Sequence, residues 1–270
     1  MFEGQQKDTI KFALHQMLST EQINEFTKSL SPDFRLKGNK SAIIRQLEMT
    51  NELSISIDDI KAYCFAHWKS PQPKMHINNL RSGILKGHGW HGTMPSTLHL
   101  SLQGKVREVC QGKLSLEELI RIGGDITKHE YFIVAIADIC EHLIITKFGA
   151  IPSIISRGVA DFILDEYPYD LKNTTLPEDW SIQRARKNPA EFITSLMAGA
   201  DIERLRKQAA GSINNWALNR FYVVSSNENI WIDDPEQALT KLEKEIKGLG
   251  KPLSIQFDGK KIMCQIVFVT

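Results

Sequence analysis

Two short alternating stretches on either side of Asp165-Glu166 constrain the fold of this chain more than any other feature. Val159–Leu164 alternates around one carboxylate, and Tyr167–Asn173 alternates around a second. A period of two is typical of β-strands, and two such stretches separated by two residues predict a β-hairpin. We therefore place a turn at Asp165-Glu166, although this pair is not the Asn-Gly type that two-residue turns favour.

Counting outward from this turn predicts the register of the hairpin. The facing positions are Leu164 with Tyr167, Ile163 with Pro168, Phe162 with Tyr169, and Asp161 with Asp170. Because side chains alternate between the two faces, Lys172 is expected on the same face as Asp170. Like charges opposite each other destabilise a strand pair, so we expect a cation between the carboxylates. Mg²⁺, which takes one or two carboxylates and keeps its waters, suits this patch. A hairpin with solvated Asp and Lys side chains is the alternative.

Asp161, eight intervening residues and then Asp170-Leu171-Lys172 resemble the PD-(D/E)XK nuclease motif. Residues 159–174 are similar to the motif strands of type II restriction endonucleases, although Ala160 stands at the position of the name-giving proline. The resemblance implies an α/β (α+β) fold, with a restriction-endonuclease-like mixed sheet core flanked by helices. It also implies Mg²⁺-dependent hydrolysis of DNA, with Mn²⁺ as a substitute. Asp161 and Asp170 would hold the metal, and Lys172 would position or activate the water.

A long apolar stretch before the hairpin predicts a buried helix over about Lys128–Phe148. Asp138 and Glu141 interrupt it and, three residues apart, share one helical face. Buried carboxylates need a partner or a metal. The resemblance implies that this helix donates a third metal ligand, with the candidates in the order Glu141, Asp138 and Glu130. An acid held by an arginine such as Arg157 is the alternative.

Gly123-Gly124 is the predicted boundary between two parts of the chain. Residues 1–124 are expected to recognise DNA, and residues 125–270 are expected to form the catalytic domain. The first region is expected to be mainly helical near the N-terminus. Residues 19–47 resemble the SAP-type helix–extended–helix DNA-binding module. Lys37 and Lys40 would contact phosphates there, together with Arg35 and Arg45. A small helical bundle that only packs against the catalytic half is the alternative.

Residues 69–113 form the most basic segment, with seven Lys or Arg against one acid, Glu108. We expect this segment to be loop-rich and to contact bases, because Arg and Asn make bidentate contacts to guanine and adenine. The candidates are Asn78, Asn79, Arg81 and Lys86. A solvated loop with a short strand at Leu98–Leu102 is the alternative. In the catalytic half, an irregular segment at Pro177–Asn188 offers two more DNA-contact candidates, Arg184 and Arg186.

Composition narrows the class of protein. The net charge of +1 excludes a polycation, so a DNA partner would be bound by local patches. The polar N-terminus and the lack of a long apolar stretch predict neither a signal peptide nor a membrane span. The four scattered cysteines predict a reduced, cytoplasmic protein. No organic cofactor is expected. Two pairs, Cys64 with His67 and His88 with His91, suggest zinc, but their spacing favours ordinary packing and surface positions.

These patterns together predict a Mg²⁺-dependent type II restriction endonuclease that cuts double-stranded DNA. A palindromic target would require a homodimer, since the protein two-fold must match that of the DNA. Two alternatives remain. One is a nuclease of the same superfamily that recognises DNA structure in repair or recombination. The other is a DNA-binding protein with an inactive site, in which the carboxylates form only salt bridges.

Overall fold

The structure is a computed structural model that describes residues 6–87, 96–155, 159–198, 213–227 and 229–270. It is a mixed α/β protein, as the sequence predicts at this coarse level. The helices are α1 (Lys7–Gln16), α2 (Thr20–Leu30), α3 (Lys40–Met49), α4 (Ile57–His67), α5 (Pro73–Arg81), α6 (Ser96–Cys110), α7 (Leu116–Phe148), α8 (Ile182–Lys187), α9 (Pro189–Ala198), α10 (Ile230–Asp233) and α11 (Pro235–Lys247), with a 3-10 helix at Ile213–Leu218.

Six strands form one mixed sheet in the order β1-β2-β3-β4-β6-β5. They are β1 (Ile151–Pro152), β2 (Phe162–Leu164), β3 (Tyr167–Thr175), β4 (Arg220–Ser225), β5 (Leu253–Phe257) and β6 (Lys260–Val269). The pairs β1–β2, β2–β3 and β5–β6 are antiparallel, whereas β4 is parallel to both β3 and β6. Strand β4 is buried along its whole length, as the apolar stretch at its position predicts.

The hairpin of β2 and β3 has the predicted turn and register. Phe162, Ile163 and Leu164 pair with Tyr169, Pro168 and Tyr167. Asp165 and Glu166 both have positive φ, at 49° and 71°. This is the backbone of a type I′ turn, whose twist matches that of the flanking strands. The predicted C-terminal hairpin is also present, with positive φ at Asp258 and Gly259.

Helix α7 begins earlier than predicted. Ser115 caps it and forms a capping box with Glu118, so the helix starts at Leu116 rather than near Lys128. Gly124 interrupts it with φ 58° and ψ −142°, a conformation that only glycine adopts at low cost. The predicted cap residue, Thr127, instead lies buried inside the helix.

Three further local predictions are wrong, and so is the alternative of a strand at Leu98–Leu102. Leu98–Leu102 lies within helix α6 rather than in a strand, and the stretch predicted to be irregular before Asn188 contains α8. Residues 230–232, a predicted strand extension, form the helical turn α10. The segment 69–113 is not mainly loop, because α5 and α6 occupy much of it. In each case the packing of neighbouring elements overrides a weak local preference.

Helices cover both faces of the sheet. On one face, Phe162, Tyr169 and Phe221 pack in a core shared with α7 and α11. That core also contains Leu80 and Leu119, so residues on both sides of position 124 contribute to it. On the other face, α8 and α9 pack over β4, β5 and β6. Within the described part of the chain, no helix is long and apolar enough to cross a membrane.

The N-terminal helices α1 to α4 form a separate core that includes Ile151 and Ile163 of the sheet. This core covers one face of the sheet at β1 and β2. Helices α8 and α9 cover the same face at β4, where Tyr222 is buried. Between these two covered areas, β3 presents alternate residues that belong to neither core. They include Asp170 and Lys172, since Tyr169 and Leu171 point to the opposite face.

Candidate active site

The two predicted carboxylates lie side by side where β2 and β3 meet. The amide of Asp161 donates at 2.8 Å to the carbonyl of Tyr169, which is already the partner of Phe162, so the regular register of the hairpin ends at Phe162. The amide of Leu171 donates to Oδ2 of Asp161 at 2.7 Å, which fixes this carboxylate against β3. The charge of Asp170 acts on the carboxyl group of Asp161, so the two side chains lie within electrostatic reach of each other. The structure thus brings the two acids to one place, although Asp161 lies one residue beyond the paired part of β2.

Lys172 joins the same patch. Its Nζ lies 2.7 Å from Oδ1 of Asp170, two residues earlier on β3. The Lys172 side chain is 37% exposed, whereas that of Asp170 is 15% exposed. The ammonium therefore faces solvent on one side and the carboxylate on the other. This is the position from which an amine can reach a bound molecule while it neutralises the acid beside it.

Arg220 is a second cation at this site, which the sequence analysis did not single out. It is the first residue of β4 and pairs in register with Asp170. Its side chain is 2% exposed, and its Nη1 lies 3.4 Å from Oδ2 of Asp170. The same nitrogen donates to the carbonyls of Ala217 and Asn219, each at 2.9 Å. A charged residue at the start of an otherwise apolar strand beside the hairpin is the sequence signal that could have identified it.

Burial and repulsion together disfavour the ionised form of Asp161. Burial raises the pKa of its carboxyl group to about 6, and the charge of Asp170 acts in the same direction. The amide of Leu171 and the ammonium of Lys172 oppose this shift. Asp161 is therefore a buried carboxyl group, and a divalent cation beside it would stabilise its ionised form.

Glu141 of α7 lies near this pair, as predicted for the helix before the hairpin. Burial raises the pKa of its carboxyl group to about 8, and the charges of Asp161 and Asp138 add to the shift, whereas a hydrogen bond with Trp68 lowers it. Glu141 thus lies within electrostatic reach of Asp161. Among the described residues, however, it does not form a tight group of three ligand atoms with the two aspartates.

The other two helix acids lie elsewhere. Asp138 contacts the ring of His76 through Oδ2 at 3.1 Å. Glu130 is fully buried, two turns of α7 before Asp138. Arg157, the predicted alternative partner of a helix acid, lies outside the described residues. The charge of Asp161 raises the pKa of Glu141, so Glu141 lies close enough to the pair to remain the first candidate for a third ligand.

The cations predicted to contact DNA near the sheet are engaged within the chain. Arg184 pairs with Glu191 at 2.9 Å and lies 4.0 Å from the centroid of the Trp180 ring. Arg186 pairs with Glu245 at 2.9 Å. Both arginines remain about half exposed, so a phosphate could compete for them at little cost.

The candidates in the basic segment divide by exposure. Asn78, Arg81 and Lys86 are exposed, and Arg81 pairs with Glu236 at the surface. Asn79 is partly buried and donates from Nδ2 to the hydroxyl of Tyr131. Its amide is thus used inside the protein, which separates it from the surface candidates.

The N-terminal region has the predicted helix–extended–helix layout. Helices α2 and α3 flank a non-helical stretch that carries Lys37, which is exposed. Lys40 is partly buried, and its ammonium donates to the carbonyl of His15 near the C-terminus of α1. Burial lowers the pKa of this lysine. Lys37 therefore suits a phosphate contact better than Lys40.

Of the two pairs suggested for zinc, Cys64 with His67 is the one that lies in the described residues. Cys64 is buried in the N-terminal core, where burial raises the pKa of its thiol to about 12. His67 stacks against Tyr63, with ring centroids 4.3 Å apart. His88 and His91 lie outside the described residues.

Comparison with protein-family models, with curated proteins and with solved structures finds no match to this chain. The site must therefore be interpreted from its own residues and from the motif that they resemble.

Proposed function

We propose that the protein is a Mg²⁺-dependent endonuclease that hydrolyses phosphodiester bonds of double-stranded DNA, most similar to type II restriction enzymes. The observation that carries the proposal is the convergence of Asp161, Asp170 and Lys172 on one patch of the sheet. Glu141 lies within electrostatic reach of that patch. Two acids and an amine in this spacing are the residues of the motif that the sequence resembles.

The donor set of the site suits a hard divalent cation. Asp161 and Asp170 supply only oxygen atoms, and their mutual repulsion in a buried position is relieved when a cation lies beside them. These two residues would hold Mg²⁺, with Glu141 adjacent to them. When bound, the ion would polarise a phosphate oxygen and make hydroxide available near neutral pH.

Lys172 and Arg220 would have different tasks. Lys172 is partly exposed, so its ammonium can donate a hydrogen bond to the attacking water or to a phosphate oxygen on which negative charge develops. Arg220 is buried, and so it cannot reach a substrate at the surface. Its guanidinium instead pairs with the Asp170 carboxylate and helps to hold it in place.

The order of the elements supports the same proposal. Helix α7 precedes the strands β1, β2 and β3, helices α8 and α9 follow, and β4 then pairs with β3. The resemblance implies a core with this order of helix, strands, helix and strand. Exposed cations at Lys37, Arg81 and Lys86 offer phosphate contacts outside the patch.

Incubation of supercoiled plasmid with the purified protein tests the proposal. We expect cleavage with Mg²⁺ or Mn²⁺ and none with EDTA. Asp170→Asn should abolish cleavage, and Lys251→Ala, a change of an exposed lysine, should not. Discrete bands would indicate a sequence-specific enzyme, and a two-fold symmetric cut site would predict a homodimer. Cleavage confined to branched or flapped DNA would instead indicate the structure-specific nuclease.

One observation favours the alternative of an inactive DNA-binding protein. Asp170 already has two cationic neighbours, Lys172 and Arg220, so its charge is compensated without a metal. In that case, the protein would shift DNA in a gel but leave every substrate intact with Mg²⁺ or Mn²⁺. Cleavage that requires Asp170 would exclude this alternative.

A further inference from the structure

Three helices bring together a group of side chains that the proposed nuclease site does not use. We propose that His76, Cys110 and Asp138 form a second metal site, selective for Zn²⁺ or a similar transition-metal ion. The ligands come from α5, from the last residue of α6 and from the middle of α7. Their ligand atoms all lie within 4.8 Å of one another. In the described part of the chain, this is the group of three possible ligands that lie so close together.

The separations match tetrahedral coordination. Nε2 of His76 lies 3.1 Å from Oδ2 of Asp138 and 3.6 Å from Sγ of Cys110. Bonds of about 2.0–2.2 Å from zinc to nitrogen and oxygen, and of about 2.3 Å to sulfur, would place tetrahedral ligands about 3.3–3.6 Å apart. These two separations are within a few tenths of an ångström of those values, and the third, between Cys110 and Asp138, is within 4.8 Å. Asp138, whose side chain is 29% exposed, leaves room for a water as the fourth ligand.

The ring of His76 is already held in the orientation that a ligand needs. It is fully buried, and its second nitrogen, Nδ1, lies 3.0 Å from the hydroxyl of Tyr131. That hydroxyl also accepts a hydrogen bond from Asn79. When Nε2 binds a metal, Nδ1 carries the ring proton and donates a hydrogen bond to the hydroxyl of Tyr131. Partners of this kind fix the tautomer and orientation of metal-binding histidines.

The chemistry of this group separates it from the hairpin site. A thiolate and an imidazole favour Zn²⁺ and similar ions, whereas Mg²⁺ prefers oxygen ligands alone. Asp138 is three residues from Glu141 on the same helix. A metal at the second site would thus tie α5, which carries Arg81, and α6 to the stretch of α7 next to the proposed catalytic patch. The ligands are too far apart in the sequence to form a local motif.

Cobalt binding to the full-length protein tests this proposal. At one equivalent of Co²⁺ we expect an intense thiolate-to-cobalt charge-transfer band, which Zn²⁺ abolishes and a large excess of Mg²⁺ does not. Cys110→Ser should remove the band. Cys64→Ala, at a buried cysteine of the N-terminal core, and Asp161→Asn, at the hairpin, should retain it. No band in the wild-type protein, or a band that survives in Cys110→Ser, would overturn the proposal.

Two further measurements address the role of Tyr131 and the risk that a variant fails to fold. Tyr131→Phe should weaken Co²⁺ binding about tenfold or more, as is typical when a partner of a ligand is lost. In the wild-type protein, the other three cysteines are buried, so Cys110 should react first with an alkylating reagent. Zn²⁺ should slow that reaction about tenfold or more, because a metal-bound thiolate is not free to attack. An unchanged rate of alkylation would contradict the assignment of Cys110 as a ligand.

Discussion

Arg220 and Asp170 face each other across the parallel pair of β3 and β4, with guanidinium and carboxylate 3.4 Å apart. Arg220 is 2% exposed and also donates to two backbone carbonyls. A mostly buried carboxylate that loses such a neighbour is left as an uncompensated charge, which is strongly destabilising. The pair thus links the stability of the sheet to the charge of the candidate site.

Loss of one partner should be costly. Replacement of Arg220 with Ala leaves Asp170 partly buried beside Asp161 with one cation fewer, and it also removes hydrogen bonds to the backbone. We expect the free energy of unfolding to fall by about 3–5 kcal/mol, measured by urea denaturation. The matched control, Arg184→Ala, removes an exposed ion pair and should cost about 1 kcal/mol or less. Equal effects of the two changes would show that the buried pair has no special role.

Lys172 should matter for turnover rather than for binding. In Lys172→Ala we expect the rate constant of DNA cleavage at saturating protein to fall by about a hundredfold or more, because a donor to the transition state is lost. DNA affinity in the presence of Ca²⁺, measured by gel shift, should change little. Lys251→Ala is the control for the loss of a surface charge. A variant that cuts at the normal rate would remove Lys172 from the mechanism.

The structure also shows which parts of the site local sequence could predict. The hairpin register follows from the two-residue side-chain period and one turn, so counting correctly pairs Phe162, Ile163 and Leu164 with their partners on β3. Arg220 and the group of His76, Cys110 and Asp138 depend on pairings between distant segments. No local period encodes such contacts, and so sequence patterns did not reveal them. The alternative of a strand at Leu98–Leu102 was wrong for a related reason, because neighbouring helices decide the state of a short apolar stretch.

The raised pKa of Asp161 predicts a pH-dependent stability. Its value of about 6 in the folded protein lies above the ordinary 3.8. Between these values the folded protein keeps a proton that the unfolded chain releases. The contribution of Asp161 to stability should therefore fall as the pH rises from about 4 to about 6 and be lost above that range, whereas Glu141, with a pKa of about 8, extends the decline to higher pH.

Asp161→Asn tests this relation, because an amide oxygen can still accept from the amide of Leu171. With EDTA present at about pH 7.5, the variant should melt a few degrees above the wild type, since about 1 kcal/mol shifts Tm by about 2–4 °C in a protein near this size. The difference should shrink towards about pH 4.5. Addition of Mg²⁺ should raise the Tm of the wild type more than that of the variant. A pH-independent difference in Tm would argue against the shifted pKa.

The exposed cations near the end of α5 provide the test of DNA contact. Arg81 is exposed and pairs with Glu236 at the surface, and Lys86 is exposed five residues later. If each contacts a phosphate, each change to Ala should weaken binding and reduce the salt dependence of log K by about 0.9. Lys251→Ala, a control with the same loss of charge, should leave this slope unchanged. Fluorescence anisotropy with a labelled duplex at several salt concentrations measures it. The same slope in all three variants and the wild type would move the DNA-binding surface away from this segment, and the exposed Lys37 would then be the next position to test.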